Sequence, residues 1–330
     1  MSSLHPNLSR RGVLALPLLS VAACSAGAST SASSPATSTT PTPSATPTPT
    51  PTPTPSQKPV DWLTGGAVSK NAVYAVKIDN TWPARPQIGL DSADIVVAEL
   101  VEGGLTRLIA IFHTTFPTVV GPVRSARNTD VQLLPVFGRP GLVYSGANRL
   151  VQAQVDKASL VPIERSDRDP RRVAPHNVMV DLRTIAATHK VGALRDIGLR
   201  FGPATGIWAR AASGARITTS IGDDTYGFIH GPKGYTVTWN GQTYNGSGHA
   251  LTCDNVMIMH VHEHKDTHST SDLSIVSDTV GQGVVDVYRD GKRVTGTWRR
   301  TAVSAPFSFT ASGGPITLKP GHTWVLLHAA

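Results

Sequence analysis

From Leu105 to Phe112 the chain reads LTRLIAIF, and Leu108 to Phe112 is apolar without a break. A run of strand length with no polar alternation suits a strand buried on both faces of a sheet, and any fold for this chain must place it there. Yet Glu99, Glu102, Thr106 and Arg107 stand at its start, and Arg124 and Arg127 follow shortly after its end. Charged groups beside a buried strand persist only when they are paired or hydrogen-bonded. Acidic and basic groups are therefore expected to meet at one end of this strand, and the stretch from Glu99 to Asp130 is where a site should be sought.

The first 24 residues have the pattern of a leader. Ser9-Arg10-Arg11-Gly12-Val13-Leu14 carries a twin-arginine signature ahead of an apolar core too short for the roughly 20 apolar residues of a transmembrane helix. Val21-Ala22-Ala23-Cys24 forms a lipobox, so Cys24 is expected to become the lipidated N-terminus of an exported protein. The alternative is a plain secretory signal that happens to contain a cysteine. Residues 25–58 are rich in Ser, Thr and Ala and then become PTPSATPTPTPTPTP, a composition that builds no core and favours extended polyproline II geometry. They are expected to form a disordered stalk, which places the folded part outside the cytoplasm and tethered to the cell membrane. Cys253 is then the only other cysteine, so no disulfide is available within the folded part and a hydrophobic core must hold it.

The remainder divides by texture into residues 59–213 and 214–330. In the first part Ala72–Ile78, Ile95–Leu100, the Leu105–Phe112 run and Gly141–Ser145 have strand character, and Asn177–Val180 is expected to form a further strand. Arg149–Lys157 and Leu182–Thr188 are expected helices, Asn128 could cap another, and the proline-punctuated 81–90 segment is expected to be a helix-free loop. In the second part short β runs alternate with turns. Asn240-Gly241 and Asp290-Gly291, each between β-forming runs, are strong two-residue hairpin signals. The fold class expected is α+β, with an α/β first part and a mostly antiparallel second part. The formal charge of +8 is spread without any Lys/Arg run, which argues against nucleic acid as a partner. An anionic envelope polymer, the membrane surface or an envelope protein is the more natural neighbour of an exported basic chain.

Loops that converge on one rim of a sheet are where sites form. The candidate ligand-binding residues are Arg85, Glu102, Arg107, Arg124, Ser125, Arg127, His176 and Asn177, and the candidate catalytic residues are Glu102, Asp79 and His176. Arginine forks suit capture of phosphate or carboxylate without chemistry, so binding of an anionic or glycan ligand is the preferred reading. The same residues could serve a hydrolase of glycosidic or phosphodiester bonds, with a carboxylate or imidazole as acid or base and arginines for developing charge. They could also be a purely structural salt-bridge cluster. Gly121–Arg127 precedes a helix, so its amides could contribute to an anion nest, but it lacks the phosphate-loop spacing, and Ser125 lacks a nucleophile-elbow context. No cofactor is expected. His260, His262 and His264 alternate and could share one strand face as zinc, nickel or copper ligands, although the polar residues that follow them favour a solvated strand end with no metal.

Several segments carry a resemblance. VKIDNTWPARPQIGL at 76–90, ADIVVAELVEGGLTRLIAIF at 93–112, GPVRSARNTD at 121–130 and APHNVMV at 174–180 resemble the YerB-like bacterial lipoprotein family, a two-part domain of unknown function. In the second half NVMI at 255–258, GTWRR at 296–300 and LKPGHTW at 318–324 extend the likeness. The resemblance implies a two-part α+β lipoprotein with a layered sheet-and-helix architecture, and it implies no activity.

Overall fold

The computed structural model describes residues 59–312 and 314–330. The leader, Cys24 and the stalk lie outside the described residues. No helix among those described is long and apolar enough to cross a membrane.

The apolar run does become a central strand. The first part contributes strands β1 (Tyr74–Asp79), β2 (Ile95–Leu100), β3 (Thr106–Phe112), β4 (Gly141–Tyr144) and β5 (Val161–Glu164). Its helices are α1 (Asn128–Leu133), α2 (Arg149–Lys157) and α3 (Leu182–Thr188). Every residue of β3 is buried, because β3 lies between β1 and β2 and is antiparallel to both. Beyond β1 the sheet continues with β4 and β5 in parallel.

On the other side, β2 is followed by the last strand of the chain, Thr323–Ala329, which pairs in parallel with β2 and also with Asn255–Val261. Gly281–Arg289, Lys292–Arg300, Ser308–Ala311 and Gly314–Pro315 then extend the sheet in antiparallel order. With Ala212–Ser213 at the Lys292–Arg300 strand, one sheet of twelve strands runs through both parts. The fold is α+β: a mixed sheet with helices, continued by a mostly antiparallel β part.

Successive residues of a strand face opposite ways. Ala75, Val97, Ile109 and Ile111 therefore share one face, where they pack with Leu133 of α1 and Val151 and Val155 of α2. Val76, Ile78, Val96, Ala98, Leu108 and Ala110 share the other. That face is covered by Leu182 and Ile185 of α3 and by a second, antiparallel sheet built on Arg216–Ile221, Asp224–Gly231 and Gly234–Trp239. Both expected hairpins form. Asn240 and Gly241 join Trp239 to Gln242 with φ of 48° and 77°, and Asp290 and Gly291 join Arg289 to Lys292 with φ of 50° and 71°.

Three local expectations need correction. Asn177–Val180 is not a regular strand but makes isolated bridges at Val178 and Val180. The 81–90 segment contains a single 3-10 turn, Trp82–Ala84, and a second, Leu90–Ser92, begins at its last residue. Asn128 is the first residue of α1 rather than its cap; Arg127 holds the cap position and donates its N–H to Asp130 Oδ2 at 2.7 Å. A carboxylate one turn into the helix satisfies an end amide as well as a capping side chain would.

Candidate functional site

Strand register makes the site. Asp79 on β1 and Glu99 on β2 both lie opposite Arg107 on β3, so the three share one row on one face. Lys77, two residues before Asp79, lies on the same face. The face that is apolar through Ala75, Val97, Ile109 and Ile111 thus turns ionic at one end of the sheet. The β2–β3 connection closes at Gly103 and Gly104, with φ of 59° and 78°, a backbone that glycine adopts without strain. Glu102 sits at this corner. Gly121–Arg127 runs alongside: Asp79 N–H donates to Pro122 O at 2.9 Å and Arg124 N–H to Lys77 O at 2.9 Å.

Three ionic groups result. In the first, Arg127 Nε lies 2.6 Å from Glu102 Oε1 and Arg107 Nη2 lies 3.8 Å from Glu102 Oε2. Arg107 also donates to Ser125 O at 3.1 Å and Arg127 to Ala126 O at 2.6 Å. Both arginines are buried. Burial pushes the Glu102 carboxyl up, but the hydrogen bond and charge of Arg127 and the charge of Arg107 outweigh it and hold it below its ordinary value. Burial, with the charge of Arg127, lowers Arg107 to about 10, still cationic at neutral pH. An ionised, doubly engaged Glu102 is a poor proton donor.

In the second group Asp79 is the hub. Its Oδ2 lies 2.7 Å from His176 Nδ1 and 3.2 Å from Arg124 Nε, while Oδ1 accepts from Thr81 N–H at 3.1 Å and Thr81 Oγ1 at 2.9 Å. Asp79 is buried, whereas the side chains of His176 and Arg124 keep 16% and 23% of their exposure. With Nδ1 occupied, His176 Nε2 has no protein partner among the described residues. Of the three candidate catalytic residues, only His176 has a free functional atom.

The third group is fully sealed. Lys77 Nζ contacts Glu99 Oε1 and lies 2.7 Å from Asp130 Oδ1, and none of the three side chains has any exposure. Glu99 Oε2 is buried without a hydrogen-bond partner. Burial raises the Glu99 carboxyl to about 7 against the opposing charge of Lys77. Lys77 and Asp130 were not among the sequence candidates. The reasoning applied to Arg107 would have found Lys77, since a lysine in the middle of the apolar AVYAVKI strand also needs a carboxylate.

Other candidates lie apart. Arg85 stacks over Trp239 at 3.7 Å and Tyr244 at 4.2 Å and donates to Asn80 Oδ1 at 3.1 Å. It thereby joins a separate network in which Asn80 also donates to Thr106 Oγ1 and Tyr226 OH. Ser125 Oγ donates to Ser145 O at 3.4 Å, and Asn177 Oδ1 accepts from Arg168 at 2.7 Å. The amides of Gly121, Val123, Arg124, Ala126 and Arg127 already donate to protein oxygens, so they form no anion nest. Strand Asn255–Val261 ends before His262, which separates the histidines: His260 lies near Asp286, while His262 and His264 share Asp278. Among the described residues no three His, Cys, Asp or Glu side chains are gathered to hold a metal ion. Among the described residues, cavities of about 450–680 Å³ open elsewhere, and these are not lined by Glu102, Arg107, Arg124, Arg127 or His176.

Comparison with known proteins gives a consistent family. Residues 63–194 match the N-terminal domain, and residues 206–325 the C-terminal domain, of the protein of unknown function DUF3048. YerB of Bacillus subtilis (strain 168), named as a lipoprotein, is 50% identical over 66 residues, a segment covering 20% of each chain. The crystal structure of YerB protein from Bacillus subtilis superposes with a TM-score of 0.68 at 23% identity, covering 82% of this chain and 96% of that one. At that identity the likeness concerns the fold.

Proposed function

The chain belongs to the DUF3048 family, whose two domains it carries in order, and on that premise we propose that it is an envelope lipoprotein that binds an anionic or glycan ligand at the Arg124–His176 rim. The observation that carries this reading is the single buried oxygen of Asp79, which holds both Arg124 and His176 and leaves both side chains partly exposed. A buried carboxylate that fixes two donors in place lowers the ordering cost of binding an anion. Glu102, Arg107 and Arg127 serve this rim as its support, because their charges are spent on one another. The lipobox at Cys24 and the name of the Bacillus subtilis relative support a lipid tether to the outer side of the cell membrane. Cys24→Ala is expected to move the protein from the membrane fraction to the soluble or unprocessed pool.

Calorimetry on the full chain tests the binding reading, with phosphodiester-containing and carboxylated envelope glycan fragments as probes. The wild type is expected to bind one class, and Arg124→Ala and His176→Ala to lose binding while remaining folded, with stability lowered by about 1 kcal/mol at most. Absence of binding by the wild type to both classes, or unaltered binding by both variants, refutes it. A second reading rests on the 2.7 Å contact between Asp79 and His176 Nδ1. An imidazole oriented by a buried carboxylate, with Nε2 free, is the arrangement of a general base that activates water for hydrolysis. Turnover of the same fragments, abolished by His176→Ala, would select that reading over simple binding.

A further inference from the structure

We infer that Lys77 and Asp130 are joined by an intramolecular amide bond whose formation Glu99 promotes inside the folded domain. Lys77 Nζ lies 2.7 Å from Asp130 Oδ1 and touches Glu99 Oε1, with all three side chains sealed from water. They arrive from β1, β2 and α1, so the three groups meet only once the sheet and its helix have assembled. Two carboxylates and one ammonium are a costly set to bury as ions. The raised Glu99 carboxyl, at about 7, agrees with such an environment.

The atoms balance without any co-reactant. A proton passes from Lys77 Nζ to Asp130 Oδ1 across their 2.7 Å contact, and Nζ then attacks Cγ, which forms the C–N bond and places negative charge on Oδ2. Arg127 N–H, 2.7 Å from Oδ2, is in place to stabilise that charge. Glu99 takes a proton from the nitrogen and passes one to the Oδ1 hydroxyl. The C–O bond then breaks and one water leaves. Glu99 Oε2, which has no other partner, is free to carry the proton. Holding the reacting groups in contact supplies effective concentrations of about 10⁵–10⁸ M, which lowers the barrier to condensation. The bond would tie β1 to α1 across 53 residues of sequence. The described residues contain one cysteine, buried Cys253, so no disulfide does this work.

Peptide mapping of the full chain, purified and denatured, decides the matter. Trypsin is expected not to cut after Lys77, and the peptide that contains it should be found joined to the peptide that begins at Asn128. The joined mass should equal the sum of the two less one water. Lys77→Arg should give only linear peptides. Glu99→Gln, checked for folding by circular dichroism, should remain unlinked. Asp130→Asn should give, where linked, the same joined peptide by loss of ammonia. Recovery of both wild-type peptides in linear form, with cleavage after Lys77, overturns the inference whatever the variants do. A folded Glu99→Gln protein that links as fully as the wild type overturns the role of Glu99.

Discussion

Truncating Glu102 leaves two buried arginines without their carboxylate, whereas truncating Arg124 leaves Asp79 with Thr81 and His176 still bound. The two residues, alike as candidates by sequence, should therefore behave differently. Glu102→Ala is expected to cost about 3 kcal/mol, the lower end for breaking a buried pair, because Glu102 keeps 22% side-chain exposure. Arg124→Ala should cost no more than about 1 kcal/mol, because Asp79 keeps its contacts with Thr81 and His176. Urea titrations of the two variants measure this, and equal losses would assign Arg124 to the scaffold. The pH dependence follows from the lowered Glu102 carboxyl. Its stabilisation is complete above the ordinary value of 4.5 and is lost as the pH falls through the lower folded value. Melting temperatures should fall with acid in the wild type, and Glu102→Gln should flatten that limb below 4.5.

At the scale of elements, the hairpins show how much a local signal can specify. Gly241 has φ of 77° with nothing near the position a Cβ would occupy, so its requirement is one of backbone alone. Gly241→Ala should cost roughly 1–2 kcal/mol, the strain of a left-handed conformation, with no change in the fold. Thermal denaturation would reveal it, and a neutral result would mean that the turn relaxes to another type. Helices Arg149–Lys157 and Leu182–Thr188 have the bounds their sequence patterns indicate. Asn148 and Asp181 cap the two helices by accepting from amides of the first turn, which accounts for such sharp starts. Val161–Glu164 escaped notice because it is a four-residue edge strand with a proline and a mostly solvent-facing pattern.

For the whole molecule the decisive element is the last strand. Thr323–Ala329 is hydrogen-bonded to β2 on one side and to Asn255–Val261 on the other, so it joins the early and late parts into a single sheet. Deletion of residues 323–330 should expose two long central edges and unfold both parts together. Limited proteolysis and circular dichroism of the truncated chain check this. A protected, folded first part would show that the sheet is not cooperative across the junction. By the same argument the intact protein should melt in one transition.

The sequence by itself determined where most strands of the first part, both hairpins and most helices form, because alternation, turn chemistry and caps act over a few residues. It also required that the charges around β3 find partners, since burial of an unpaired ion is costly wherever it occurs. It could not say which partners. Lys77 meets Asp130 from 53 positions away, Glu99 goes to Lys77 although it lies opposite Arg107, and Arg85 leaves the ionic rim for two aromatic rings of the second part. Those choices depend on strand order and on what packs against each face. Only the tertiary structure decides them, because side-chain pairing is a property of space, and residues brought together there leave no shared period in the chain.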